Sequence, residues 1–265
     1  MHVHALICFS SRPGMGNPAL VIEGAAADSA ARQAFARARN TTCVFLDEDA
    51  DQGIASVDFF YPHTRSPLCL HATLAVAAVL FARPGAPAAI AVVTALTGQR
   101  LELTREDGGY YVRLMAQPVP DIDIGLAQVA ALLNAPTATL VSAPRLASVG
   151  SPKLLAEVAD VDALYALAPD LPAIAAWGRE NGVNGIYAWC RRPDGSCEGR
   201  NFNHLDPALE DSATGVAAGA LSVALGRGLV LHQGAASGRA CLIRTRIEGT
   251  ALLVGGAAEA LPTAS

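Results

Sequence analysis

Short runs of alternating or continuous apolar residues cover most of this chain, a pattern of β-strands more than of amphipathic helices. In the first half, strands are predicted at 3–9, 19–23, 42–46, 54–61, 89–96, 100–105 and 110–116. The turn Arg12-Pro13-Gly14-Met15-Gly16-Asn17-Pro18 follows the first strand, and Asp107-Gly108-Gly109 reads as a hairpin turn. The Ala- and Arg-rich stretch 28–39 reads as a surface helix with Asp28 or Ser29 as N-cap, and 62–67 as a loop. Gln117-Pro118-Val119-Pro120 marks a boundary, after which the order repeats. A helix is predicted at 125–133, strands at 138–149 and 153–158, a helix at 161–177 and a strand at 185–190. The hairpin turn Pro193-Asp194-Gly195, a loop at 200–207, and strands at 240–247 and 251–254 complete the second half.

Two segments, His71 to Leu80 and Ala213 to Leu225, read as helices with almost no polar residue, so each is predicted to be buried on all sides. Strands that cluster around one such helix, twice, define an α+β fold. Each of its two similar lobes is a curved, mostly antiparallel sheet wrapped around a buried central helix. The expected boundaries are 1–116, completed by 251–265, for the N-terminal lobe and 117–250 for the C-terminal lobe.

Both apolar helices are entered through polar residues, in Leu68-Cys69-Leu70-His71-Ala72-Thr73-Leu74-Ala75 and, about 140 residues later, Glu210-Asp211-Ser212-Ala213-Thr214-Gly215-Val216-Ala217-Ala218-Gly219. A helix N-terminus carries unsatisfied N–H groups and partial positive charge, so two such ends point to a site for a small carboxylate.

Composition narrows the class. Hydrophobic residues make up 52% and charged residues 16% of the chain, which excludes disorder. The net charge of -5 and the lack of a basic run argue against nucleic acid as a partner. No apolar run is long enough to span a bilayer, the start reads as a strand rather than a signal peptide, and no membrane association is expected. The six cysteines are scattered without a CxxC, which speaks against a metal site or disulfides and fits buried thiols in a reducing cytoplasm. No cofactor motif is present; the glycines near Gly14 and Gly16 fit a turn.

Four motifs together resemble the PhzF-type phenazine-biosynthesis family, whose members share the two-lobed diaminopimelate epimerase fold. They are Gly16-Asn17-Pro18-Ala19, Phe60-Tyr61-Pro62 through Cys69-Leu70-His71-Ala72-Thr73, Glu210-Asp211-Ser212-Ala213-Thr214-Gly215, and Gln233-Gly234 with Gly238-Arg239. The resemblance implies a cofactor-independent enzyme, often a homodimer, that moves a proton on a small carboxylate-bearing molecule in a cleft between the lobes. It assigns assisting roles in proton transfer to His71 and Asp211. Substrate binding is expected of Asn17, Leu70, Ala72, Thr73, Thr214 and Gly215.

The chain departs from the family pattern at its main proton shuttle, a glutamate. An ungapped count places that position at Thr42, and one gap moves it to Cys43. Leu70 replaces a glycine, Val216 a serine, and Arg65 stands where an acid is common. Arg65 would hold a second substrate carboxylate if it faces inward, or be a solvated surface charge if it faces out. Among the remaining candidates His71 leads, because a helix start favours the neutral, basic imidazole. Cys69, at the position of a catalytic cysteine in related epimerases and racemases, is a second candidate. Thr42 and Cys43 stay open as replacements for the glutamate. Backbone N–H groups of Thr214 and Gly215, with the Thr214 hydroxyl, are expected to bind a carboxylate or oxyanion. His204 reads as a surface-loop histidine. The favoured function is an isomerase acting on a small amino or unsaturated carboxylic acid, in secondary metabolism. A cofactor-free lyase or hydrolase on the same fold and a non-catalytic small-acid binder are the alternatives.

Overall fold

The computed structural model describes residues 1–25, 28–48, 53–106 and 108–261; Asp107 of the predicted hairpin and the chain end 262–265 lie outside the described residues. The fold is α+β, rich in sheet and poor in helix. The chain divides into two compact units, Met1–Leu114 with Leu253–Ser265, and Met115–Leu252.

The first unit begins with the antiparallel pair β1 (His2–Cys8) and β2 (Asn17–Glu23). Helix α1 (Ser29–Arg39) then crosses over to β3 (Thr42–Asp47), which pairs parallel with β2. Asp28 caps α1 by accepting from the Ala31 N–H at 2.8 Å, and Asn40 ends it in the left-handed region at φ 48°. Strand β4 (Ala55–Phe60) runs antiparallel to β3 and carries the short β5 (Arg65–Ser66) at its end. Helix α2 (Leu70–Phe81) is the next crossover, to β6 (Ala89–Thr94), which pairs parallel with β4. The meander β7 (Arg100–Glu106) and β8 (Gly109–Met115) follows.

Among α2's twelve residues all but Val79 are buried, against β1, β2, β3 and β7. The helix has no polar face because the sheet leaves none exposed to solvent. Helix α1 takes the opposite face, where Ile22, Ala36, Cys43, Phe45 and Phe60 form a separate cluster.

The second unit opens with α3 (Leu126–Leu132), β9 (Arg145–Ala147) and β10 (Lys153–Glu157). Helices α4 (Val161–Ala166) and α5 (Leu171–Asn181) cross over to β11 (Ile186–Arg191), parallel to β10. Strand β12 (Cys197–Phe202) returns antiparallel, and α6 (Gly215–Leu225) crosses to β13 (Val230–Gln233), parallel to β12. Strand β14 (Cys241–Glu248) pairs antiparallel with β13; β15 (Ala251–Gly256) leads back into the first unit, where β16 (Ala258–Ala260) pairs with β1. In both units each parallel pair is spanned by a helical crossover, as parallel pairing requires. In each unit one crossover is amphipathic, or split, at the surface, and the next is apolar and buried.

Leu154, Ala156, Ile186, Ala188, Cys190 and Phe202 face a core shared with α3, α4 and α5. Helix α6 packs instead against β9, β10 and β14. Its one polar interior residue, Ser222, is satisfied by donating to the Arg227 carbonyl at 2.6 Å and accepting from the Thr245 hydroxyl at 3.0 Å.

Several predicted elements need correction. The helix expected over 161–177 is two helices, because Pro169 cannot continue a helix and Asp170 starts a new one, accepting from the Ala173 N–H at 3.0 Å. The strand expected over 138–149 shrinks to Arg145–Ala147, preceded by a 3₁₀ turn at Thr137–Thr139 between Pro136 and Pro144. The loop expected over 62–67 contains the paired residues Arg65 and Ser66. The loop expected over 200–207 begins only after Phe202. Strand β12 holds Glu198, Arg200 and Asn201, polar residues that find partners inside the protein. Strands β13 and β16 were not expected. All six cysteines are buried thiols. Among the described residues no helix is long and apolar enough to cross a membrane.

Leu74 of α2 is fully buried, so Leu74→Ala is expected to cost about 3 kcal/mol in a denaturant titration, from lost transfer energy and the cavity left behind. Val79→Ala, at the helix's one partly exposed position, should cost less than about 1 kcal/mol. Equal losses would contradict the packing of α2.

Candidate active site

Helix capping separates the two buried helices from three of the surface ones. Helices α1, α4 and α5 each start with an aspartate that accepts a first-turn N–H: Asp28, Asp160 and Asp170. No side chain caps α2, which starts at Cys69, or α6, which starts at Thr214. A helix start without its own acceptor keeps its dipole and N–H groups available to an external anion.

At the start of α2 the side chains make a short chain of contacts. The Tyr61 hydroxyl donates to Cys69 Sγ at 3.4 Å, and Cys69 Sγ lies 3.3 Å from His71 Nδ1. The Tyr61 and His71 rings are 6.4 Å apart. Cys69 and His71 are each 2% exposed. Thr73 turns its hydroxyl to the Cys69 carbonyl at 2.8 Å, so it shapes the turn instead of offering a free donor. Leu70 and Ala72 are buried, which confines any ligand contact at these positions to the backbone.

Strand alternation decides which of the other candidates share this face. Successive side chains point to opposite sides of a sheet. Cys43 and Leu20 pair across β2 and β3 and pack on the α1 side. Thr42 pairs with Ala19 and therefore faces the α2 side, as does Asn17 two residues earlier on β2. Both are buried. The proposal that Cys43 replaces the glutamate is thus corrected: it sits on the wrong face, and burial pushes its thiol up to about 12, so it stays protonated at neutral pH. Arg65 is corrected likewise. It pairs with Phe60 on the α1 side, where its Nε donates to Asp58 at 2.8 Å. Asp58 also accepts from Arg32 of α1 at 3.2 Å, and Arg32 grips Asp47 with two bonds of 2.7 and 2.9 Å. Arg65 belongs to an ion-pair ladder on the α1 side, with a side chain 31% exposed, and is turned away from the α2 side.

The start of α6 is built around Gln233, whose amide is fully used. Its Nε2 donates to the Asp211 carbonyl at 2.7 Å and to Thr214 Oγ1 at 3.0 Å. Its Oε1 accepts from the Tyr187 hydroxyl at 3.0 Å and from the Thr214 N–H at 3.2 Å. Thr214 Oγ1 in turn donates to Asp211 Oδ2 at 2.9 Å. The expected anion-binding role of Thr214 is therefore corrected: its N–H and hydroxyl are engaged within the protein, which leaves Gly215, the first residue of α6, as the backbone donor. Gly234 has φ 105°, and a Cβ there would lie 2.8 Å from the Ser212 carbonyl, so the turn closes only over glycine. Arg200 holds Glu210 through two bonds of 3.0 and 2.8 Å, fixing the approach to Asp211.

Sequence reading missed Gln233, Tyr187 and Lys153 as parts of this site. Lys153 is fully buried, bonded to the Asn184 carbonyl and, at 3.0 Å, to Asn201 Oδ1. Burial pushes it down to about 7, against an opposing pull from the negative charge of Asp211. The one lysine of the chain, opening a strand that continues Leu-Leu-Ala-Glu, was the visible signal. His204 is half-buried and borders a cavity of about 270 Å³ with Arg200, Asn201 and Glu210. Among the described residues no cluster of three His, Cys, Asp or Glu side chains could hold a metal ion.

With this geometry established, comparison with known proteins identifies its relatives. A family model described as phenazine biosynthesis-like protein (PhzC-PhzF) matches residues 6–261. The uncharacterized isomerase YddE of Salmonella typhimurium is 31% identical, covering 88% of this chain and 81% of its own. The trans-2,3-dihydro-3-hydroxyanthranilate isomerase of Pseudomonas chlororaphis is 29% identical over 95% of this chain and 92% of its own. A solved structure titled as a predicted epimerase from Pseudomonas aeruginosa superimposes with a TM-score of 0.78 at 26% identity, covering 98% and 96% of the two chains.

Replacing Gln233 by leucine strands the Thr214 N–H and the Tyr187 hydroxyl, and is expected to cost about 2–3 kcal/mol in chemical denaturation, against about 1 for Tyr187→Phe. The lysine adds a pH dependence. Its folded value, about 7, lies below its ordinary 10.5, so the unfolded chain binds more protons between these limits. The penalty is absent above 10.5, grows as pH falls, and is complete below about 7. The stability of the wild type relative to Lys153→Met should therefore rise with pH across that window, by at most about 1.4 kcal/mol per unit. A flat difference would contradict the buried amine.

Proposed function

The chain belongs to the PhzC-PhzF family of phenazine biosynthesis-like proteins, and on that premise we propose that it is an isomerase moving a proton on a small amino or unsaturated carboxylic acid of secondary metabolism. The observation that carries this reading is the Tyr61–Cys69–His71 chain at the uncapped start of α2.

His71 takes the proton from the substrate carbon onto an imidazole nitrogen and returns it at another carbon, so no oxidant or reductant is consumed. The Cys69 thiol beside Nδ1, itself held by the Tyr61 hydroxyl, orients the ring. The substrate carboxylate is bound by backbone N–H groups at the uncapped start of α2. Thr42 stands on the α2 face where the family pattern has a glutamate, and a threonine has no proton to exchange near neutral pH. This absence is why the imidazole carries the transfer.

The test uses trans-2,3-dihydro-3-hydroxyanthranilate, the compound named for the Pseudomonas chlororaphis relative, in deuterated water. Deuterium incorporation, followed by NMR, should fall about 100-fold or more in His71→Ala while binding stays within about threefold. Unchanged incorporation in that variant eliminates the histidine mechanism. Binding by the wild type without any incorporation would instead favour a non-catalytic acid-binding protein.

A further inference from the structure

We propose that Cys69 and Tyr61 form a proton relay that joins the buried imidazole of His71 to solvent. The inference deepens the proton transfer assigned to His71 above and rests on that reading for its use in the reaction, though not for its test.

Burial creates the need for such a path. His71 and Cys69 are each 2% exposed, and the helix they lead into is buried at every position but Val79. A base enclosed in this way trades protons with water through neighbouring exchangeable hydrogens or through local opening of the fold. Cys69 Sγ lies 3.3 Å from His71 Nδ1 and 3.8 Å from Nε2, so the thiol is close to the ring nitrogens whichever tautomer is present. The Tyr61 hydroxyl donates to the same sulfur at 3.4 Å. A thiol and a phenol can each donate and accept, so both are able to pass a proton on. Burial also falls along the chain of groups. Cys69 is buried, Tyr61 is half-buried, and the Tyr61 ring stacks at 5.9 Å on that of His63, which is exposed.

The backbone that carries the relay is pinned. The Tyr61 N–H donates to the Thr64 carbonyl at 2.8 Å, and the Thr64 N–H donates back to the Tyr61 carbonyl at 3.4 Å. The Gln33 amide of α1 donates to the Tyr61 and Pro62 carbonyls at 2.8 and 3.2 Å. The Cys69 carbonyl accepts from the Thr73 hydroxyl at 2.8 Å. With both residues fixed, only rotation about one single bond moves the thiol or the phenol hydrogen.

The hops balance. When His71 gives a proton to the substrate, the thiol proton moves to the ring, the Tyr61 proton moves to sulfur, and water restores the phenol. Each hop breaks one bond to hydrogen and forms another, and no electron is gained or lost. The same hops reversed, after the thiol and hydroxyl turn over, discharge a proton taken from the substrate. The relay therefore sets how much of the hydrogen returned to the substrate is drawn from solvent.

The test needs no substrate. In full-length protein labelled with ¹⁵N-histidine, the His71 ring resonance is assigned by its loss in His71→Gln, and the exchange of its ring N–H with solvent is measured by NMR. Exchange should slow by about tenfold or more in Tyr61→Phe and in Cys69→Ala, which leaves the route through local opening. The double variant should be no slower than either single one. Cys69→Ser, which keeps an exchangeable hydrogen, should exchange faster than Cys69→Ala. A purely structural role for Tyr61 predicts the opposite sign, because a loosened site exchanges faster. Unchanged or faster exchange in Tyr61→Phe overturns the proposal. If Tyr61→Phe does not fold, the two Cys69 variants decide, and equal rates in them overturn the relay. Loss of deuterium incorporation in His71→Ala tests the reaction separately, so failure of one reading is distinguishable from failure of the other.

Discussion

A buried helix laid on one face of a sheet selects every second residue of each strand, and that constraint governs what this protein can bring together. In the first unit the face against α2 receives Asn17 and Thr42, whereas Cys43 and Arg65 go to the face against α1. A one-residue difference along β3 is therefore a difference between two environments. One borders the start of α2. The other holds a small aromatic cluster topped by the Arg32–Asp47, Arg32–Asp58 and Arg65–Asp58 pairs. The same rule in the second unit gathers Lys153, Tyr187 and Asn201 on the side of α6 and sends Glu198 and Arg200 to α4.

Polar satisfaction is the second constraint, and it works in opposite directions at surface and buried helices. An aspartate at the start of α1, α4 or α5 satisfies a first-turn N–H and interacts favourably with the dipole. A fixed acidic cap at α2 or α6 would compete with an incoming carboxylate for the same donors. The turn into α6 is ordered instead by a neutral amide, Gln233, which joins Asp211, Thr214 and Tyr187. A fully used neutral amide orders the turn without adding a second charge beside Asp211.

Much of this was legible in the sequence, for physical reasons that also mark its limits. Both apolar helices were legible because a helix without a polar face has nowhere to be except inside a sheet. Asp28 announced the start of α1. Strand β12 was not legible, because Cys-Glu-Gly-Arg-Asn-Phe looks like a loop until Tyr165, Glu210 and Lys153 supply partners from distant parts of the chain. The break between α4 and α5 was marked by Pro169 and Asp170 but hidden in a helical hydrophobic pattern. At the site, His71 and Asp211 could be singled out by motif. The face of Cys43 or Arg65 depends on strand register, which a one-residue ambiguity in alignment leaves undetermined. The engagement of Thr214 depends on Gln233, nineteen residues away and on another element.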